Sequence, residues 1–217
     1  MAEEKPNYEE IARPMVDLIQ GIGLDTMRLM VQSMRLLVRG RPVPPKDIAD
    51  ALGVSEETVD LTLNAMGTGV KRNEAGDVVE IFGLSLNPTR HRFMVGDQEL
   101  FVWCAGDAIS FAAAVGQPVR IESTDPVSGD AIRIETTPEE GVKSFEPETA
   151  VVSWVTSVDP EAIRESFCNL VNFFTSPETA RQYLSKHPRL KMFTVREAEE
   201  VNRTIITMAG LEDILRE

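Results

Sequence analysis

Cys104 and Cys168 are the only two cysteines in a chain of 217 residues. Asp107 follows the first by three positions in FVWCAGDAISF, and the second stands in RESFCNLVNFF. Buried separately, two such thiols are small apolar fillers. Joined, they form a disulfide, which a reducing compartment and the lack of any further cysteine disfavour. Together with His91 and His187, the only histidines, they make up four possible zinc ligands, yet no C-x-x-C or H-x-x-x-H spacing is present. Brought to one point as thiolates, they offer a pair of soft ligands beside an acid.

That last arrangement has a definite chemistry. Two soft thiolates suit a soft metal, such as mercury or Cu(I), far better than magnesium or calcium. Cys104 is expected to close a strand and open the Ala-rich helix AGDAISFAAAVG, ended by Gly116. Backbone amides at a helix start favour an anion, so the thiol pKa is expected to fall there. Asp107 then lies in the first turn, close enough to exchange a proton with Cys104 or with whatever it holds. An acid there also simply complements the helix dipole. No G-x-S-x-G or phosphate-loop pattern accompanies the histidines, so Ser/His/Asp catalysis finds no support.

These residues need elements to position them. Ile11, Met15, Leu18 and Ile19 follow a helical stripe that Gly21–Gly23 interrupts, and Met27, Val31, Met34 and Val38 mark a second helix. RGRPVPP ends it, since consecutive prolines cannot continue a helix. KDIADALGVSEETVDLTLNAM is a helix-turn-helix pattern with Ser55 as N-cap, and the run after it reads as a wing. HRFMVGDQELFVWC predicts a hairpin turning at Gly96–Asp97, and VRIEST with AIRIETT predicts another. AVVSWVTS is a further strand, while SFCNLVNFF has no decisive period. A helix opens at Ser176-Pro177 and stops by Pro188, and a last one starts at the capping box Thr194/Glu197. The expected fold is α+β: a helical winged-helix-like module over residues 1–82, then a mixed domain of antiparallel hairpins and flanking helices over 83–217.

Charge narrows the partners. Residues 1–80 carry 9 Lys/Arg against 14 Asp/Glu, and the remainder 13 against 21. The second helix of the helix-turn-helix offers Glu56, Glu57 and Asp60 and no Lys or Arg, the wrong side chains for a major groove. The module is therefore not expected to bind DNA, and no nucleic-acid partner is expected. No apolar run approaches the roughly 18 residues of a membrane span, and the acidic start MAEEKPNYEE is not a secretory signal. A cytoplasmic location is expected.

At the two thiols the sequence is similar to a known family. LFVWCAGDAISFAAAVGQPVRI, VVSWV and IRESFCNLVNFFTSPETARQYLSKHP resemble the bacterial organomercurial lyases, the alkylmercury lyase family. The family's Trp-Cys-x-x-Asp segment is here Trp103-Cys104-Ala105-Gly106-Asp107. Its Ser-Phe-Cys segment is here Ser166-Phe167-Cys168, running on to Phe173-Phe174. The likeness extends from about Gly83 to about Ile206 and includes the RGRPV…IADALG module ahead of it. It implies that residues 83–217 form a catalytic domain that cleaves carbon–mercury bonds, giving a hydrocarbon and Hg(II). It implies catalytic roles for Cys104, Asp107 and Cys168, which would also be the mercury ligands. No cofactor is implied. The implied partners are an organomercurial substrate, small-molecule thiols for turnover and a mercuric reductase. Asn169 stands where some members have a further cysteine, and VRIESTDPVSGDAIRI lacks another, leaving the minimal thiol pair. The alternatives are a soft-metal-binding protein without lyase activity and a mercury-responsive helix-turn-helix regulator.

Overall fold

Asn7 opens the first helix. Its side chain accepts a hydrogen bond from the Glu10 amide at 3.3 Å, and α1 runs over Tyr8–Ile22. Gly23, at φ +87°, ends α1, and α2 (Leu24–Leu37) follows at once. The molecule is seen here as a computed structural model that describes residues 6–217. α3 (Pro45–Leu52) and α4 (Glu56–Ala65) form the expected helix-turn-helix. The chain turns between them through Gly53 in the left-handed region, and Ser55 Oγ caps α4 by accepting from the Thr58 amide at 3.1 Å.

The wing is β1 (Val70–Arg72) paired antiparallel with β2 (Val78–Ile81). It does not stand free. β2 pairs with β3 (Leu84–Ser85), and β3 with β5 (Gln98–Val102). β4 (His91–Val95), β6 (Val119–Thr124), β7 (Ala131–Thr137) and β8 (Gly141–Glu146) complete an eight-stranded sheet in the order β1-β2-β3-β5-β4-β6-β7-β8. Its register aligns Leu100, Phe93, Ile121 and Ile134 across four strands, all at most 1% exposed. Burial of such side chains contributes about 1.5–3 kcal/mol each. α5 (Ala105–Val115) packs against this sheet and, on its other side, against α2 and α7 (Val195–Ala209).

A smaller antiparallel sheet has β9 (Val151–Val155) between β10 (Phe173–Phe174) and β11 (Leu190–Thr194). All five residues of β9 are buried, which explains its unalternating sequence VVSWV. α6 (Pro177–Leu184) and α8 (Glu212–Arg216) complete the chain, which is α+β with antiparallel sheets, as expected. Thr194 and Glu197 do form the capping box of α7. α6 stops four residues before Pro188, at Leu184, where Ser185 takes the cap. Among the described residues, no helix is long and apolar enough to cross a membrane.

Candidate active site

Cys104 is the N-cap of α5, at φ −147°, ψ 172°, and its Sγ accepts a hydrogen bond from the Asp107 amide at 3.4 Å. Ser, Thr, Asp and Asn fill this position far better, and a poor cap forgoes about 1 kcal/mol. A thiol at a cap breaks a local rule, as side chains at functional or strained sites do. Asp107 lies one turn into α5, on the same side as the sulfur.

Cys168 arrives from elsewhere in the chain. Residues Arg164–Cys168 form a π-helical turn closed by the Asn169 amide donating to the Arg164 carbonyl at 2.7 Å. Such wide turns are frequent at functional sites. The segment after it is tied down on both sides. The Ala105 amide donates to the Val171 carbonyl at 3.0 Å, joining it to the start of α5. Ser153 Oγ of β9 donates to the Leu170 carbonyl at 2.6 Å and accepts from the Asn172 amide at 2.9 Å. Arg90 holds the Asn172 side chain at 2.9 Å. The ambiguous SFCNLVNFF is thus a π-turn running into a short strand.

The result is one cluster. One ligand atom each from Cys104, Asp107 and Cys168 lie within 4.8 Å of one another, and both cysteines are free and buried. The histidines are elsewhere. His91 Nδ1 shares a 2.8 Å hydrogen bond with Ser123 Oγ, and His187 stacks on Tyr183. Asn169 is exposed, so the side chain replacing a cysteine there does not enter the cluster.

Asp107 and Cys168 of the cluster line an apolar chamber of about 180 Å³, with Cys104 buried behind its wall. Met15 of α1 and Met27, Met30 and Met34 of α2 line it, together with Trp103 and Phe111. The apolar faces of the N-terminal helices therefore close over the site. Unbranched thioether side chains make that wall deformable. Trp103 and Phe111 line the chamber beside Asp107, while Phe101 is buried outside it.

Burial governs the electrostatics. It pushes the Asp107 carboxyl up to about 7, against hydrogen bonds from Cys104 and the Trp103 backbone and the weaker pull of the Arg164 guanidinium. It also pushes the Cys104 thiol well above its ordinary value. The expected lowering at a helix start is present as the Asp107 amide bond, but desolvation outweighs it. Among the described residues, four buried side-chain polar atoms lack a partner, and two of them, Asp107 Oδ2 and Trp103 Nε1, are here. Such orphans call for an explanation, and a site awaiting a ligand supplies one.

A stability consequence follows from the raised carboxyl. The folded state retains the Asp107 proton to about pH 7, while the unfolded chain releases it near its ordinary value of 3.8. This group's contribution is therefore full below pH 3.8 and is lost as pH rises towards 7. Urea midpoints of Asp107→Asn should fall less between pH 4 and 7 than those of the unsubstituted protein. The difference should be on the order of a few kcal/mol. Parallel curves would contradict it.

Gly83 was not singled out by the sequence. It sits at φ +105° in the tight turn after β2, beside Phe82, the only described non-glycine residue with positive φ. A methyl group at Gly83 would lie 2.7 Å from Asp107 Oδ2, so only a glycine leaves the carboxyl its place. The sole hint was a glycine between two short strands.

Fold and site together define a class: an α+β protein whose buried dithiol–carboxyl centre has the ligand chemistry of a soft metal. Comparison with known proteins narrows this. The MerB alkylmercury lyase family profile matches residues 84–207. The chain is 39% identical to an alkylmercury lyase of Staphylococcus epidermidis over 185 residues, 85% of this chain and 84% of that protein. It is 34% identical to one of Streptomyces lividans, covering 91% of each. A mercury-bound crystal structure of MerB2 has the same fold, with TM-score 0.73 at 20% identity over 91% of this chain and 99% of that one. The chain belongs to the alkylmercury lyase family.

Proposed function

We propose that this alkylmercury lyase cleaves its substrate by protonolysis, with Cys104 and Cys168 holding mercury and Asp107 delivering the proton. The observation that carries the assignment is the convergence of the three ligand atoms within 4.8 Å. A C–Hg bond resists water because a carbanion is a poor leaving group. The first cysteine exchanges its proton for R–Hg⁺. The second binds mercury in turn and passes its proton to the Asp107 carboxylate. Two thiolates push electron density through the metal to carbon, which becomes basic enough to take that proton as R–H. Asp107 ends ionised, and Hg(II) stays bridged between two sulfurs.

The buried surroundings suit each role. A carboxyl raised to about 7 holds the proton it receives from the second thiol, where an exposed one would lose it to water. A chamber of about 180 Å³ matches one small organic group, since an apolar cavity of about 150 Å³ holds benzene. Bridged Hg(II) would leave by exchange with a small-molecule dithiol or a mercuric reductase, in a cytoplasm that keeps both thiols reduced. The protein would need no organic cofactor.

The test is direct. Incubation with methylmercury and excess thiol should release methane, with one Hg(II) formed per methane. Stoichiometric mercury binding without methane would leave a soft-metal-binding protein instead.

A further inference from the structure

The segment that carries Cys168 is tied to β2 by a buried charged contact and to the segment that carries Cys104 by a cation–ring contact. Glu80, on β2, is a carboxylate with a side chain only 1% exposed. Its Oε1 accepts from Lys71 Nζ at 2.9 Å and from Arg164 Nη1 at 3.0 Å, and its Oε2 accepts from Ser85 Oγ at 2.8 Å. Burial alone would push this carboxyl up, but the Lys71 and Ser85 bonds and the Arg164 charge outweigh it and hold it below its ordinary range.

Arg164 is the shared element. It is the first residue of the π-turn that ends on Cys168, and its carbonyl closes that turn. Its guanidinium carbon lies 4.5 Å from the centre of the Trp103 ring, one residue before Cys104. The planar cation thus lies on the face of one thiol's neighbour while its backbone carries the other thiol. Glu80 holds the same guanidinium through its Nη1.

We propose that Glu80 and Arg164 form a clamp that sets the spacing of Cys104 and Cys168, making them positioning residues for the reaction. The inference rests on the roles given to the two thiols above. It also gives β2, the second strand of the wing, a part in catalysis through Glu80, without any contact between Glu80 and substrate. A lysine at 164 would keep the charge and lose the planar stack, so Arg and Lys are not equivalent here.

The experiment compares Glu80→Gln, Arg164→Met, Arg164→Lys and the Glu80→Gln/Arg164→Met pair. Two rates are measured on each. One is bridging of the two thiols by phenylarsine oxide, a short dithiol-specific reagent; the other is methane release from methylmercury. Misplacement of reacting groups by about 1 Å costs up to about a hundredfold. Both rates should fall about tenfold or more in Glu80→Gln and Arg164→Met, with Arg164→Lys recovering only part. The paired substitution should be no worse than Arg164→Met alone, because both remove one contact. Unchanged bridging in folded Glu80→Gln and Arg164→Lys overturns the clamp, as does a paired loss equal to the product of the single losses. Should Arg164→Met fail to fold, those two conservative variants still decide. Bridging requires no carbon–mercury cleavage, so a protein that releases no methane but loses bridging in these variants keeps the clamp and loses the proposed chemistry.

Discussion

Asp107→Asn is expected to bind methylmercury on its thiols as the unsubstituted protein does and to release methane about 10²–10⁴-fold more slowly, the usual worth of a positioned general acid. Asn has the same shape and cannot carry the proton. The amide that donates to Cys104 Sγ belongs to the backbone and survives the change. Binding should be read as mercury retained per protein after gel filtration, and cleavage as methane in the headspace. Loss of both would make Asp107 a structural residue. Retention of both would mean that the proton reaches carbon by another path, for example directly from a thiol.

Cys168→Ser separates one-thiolate from two-thiolate activation. A hydroxyl occupies nearly the same space and is a poor ligand for a soft metal. Methylmercury should then stay on Cys104 as a stable adduct, with cleavage reduced at least about 10³-fold, as when one member of a cooperative catalytic unit is removed. Mass spectrometry should find protein plus one methylmercury group and no bare Hg(II). Rapid methane release from this variant would show that a single sulfur suffices and would end the argument for paired donation.

Much of the scaffold was legible because its signals are local. Ser55, Ser176-Pro177 and Thr194/Glu197 mark helix starts, and all three are found in those roles. Gly116 ends α5 in the left-handed region. The hairpins of β4–β5 and β6–β7 announce themselves by alternation around a turn. β8 does not: in GVKSFE only Val142 is buried, as befits the edge of a sheet, so no period of two emerges. β11 is five residues squeezed between Pro188 and a strong helix start. SFCNLVNFF resisted because a π-turn and a two-residue strand have no period to read.

The site divides in the same way. Residue types and motifs single out Cys104, Asp107 and Cys168. Their meeting depends on β9, whose Ser153 grips the returning chain, and no local pattern encodes that. The direction of the Cys104 shift was misjudged because a helix start is visible in sequence and desolvation is not. Glu80 did leave a trace. An acid inside the apolar run VVEIF sits at a buried strand position, where a carboxylate survives only with partners. Arg164 left none, being one arginine among many.

The chain's two tryptophans both stand at the cluster. Trp103 lines the chamber, and Trp154 lies beneath Gly106, where an added methyl would touch both its Cη2 and Cys104 Sγ at 3.5 Å. Heavy atoms drain excited indoles through spin–orbit coupling. With mercury held between the two thiols as proposed, the protein's own ultraviolet emission should therefore dim on loading and recover as each turnover clears.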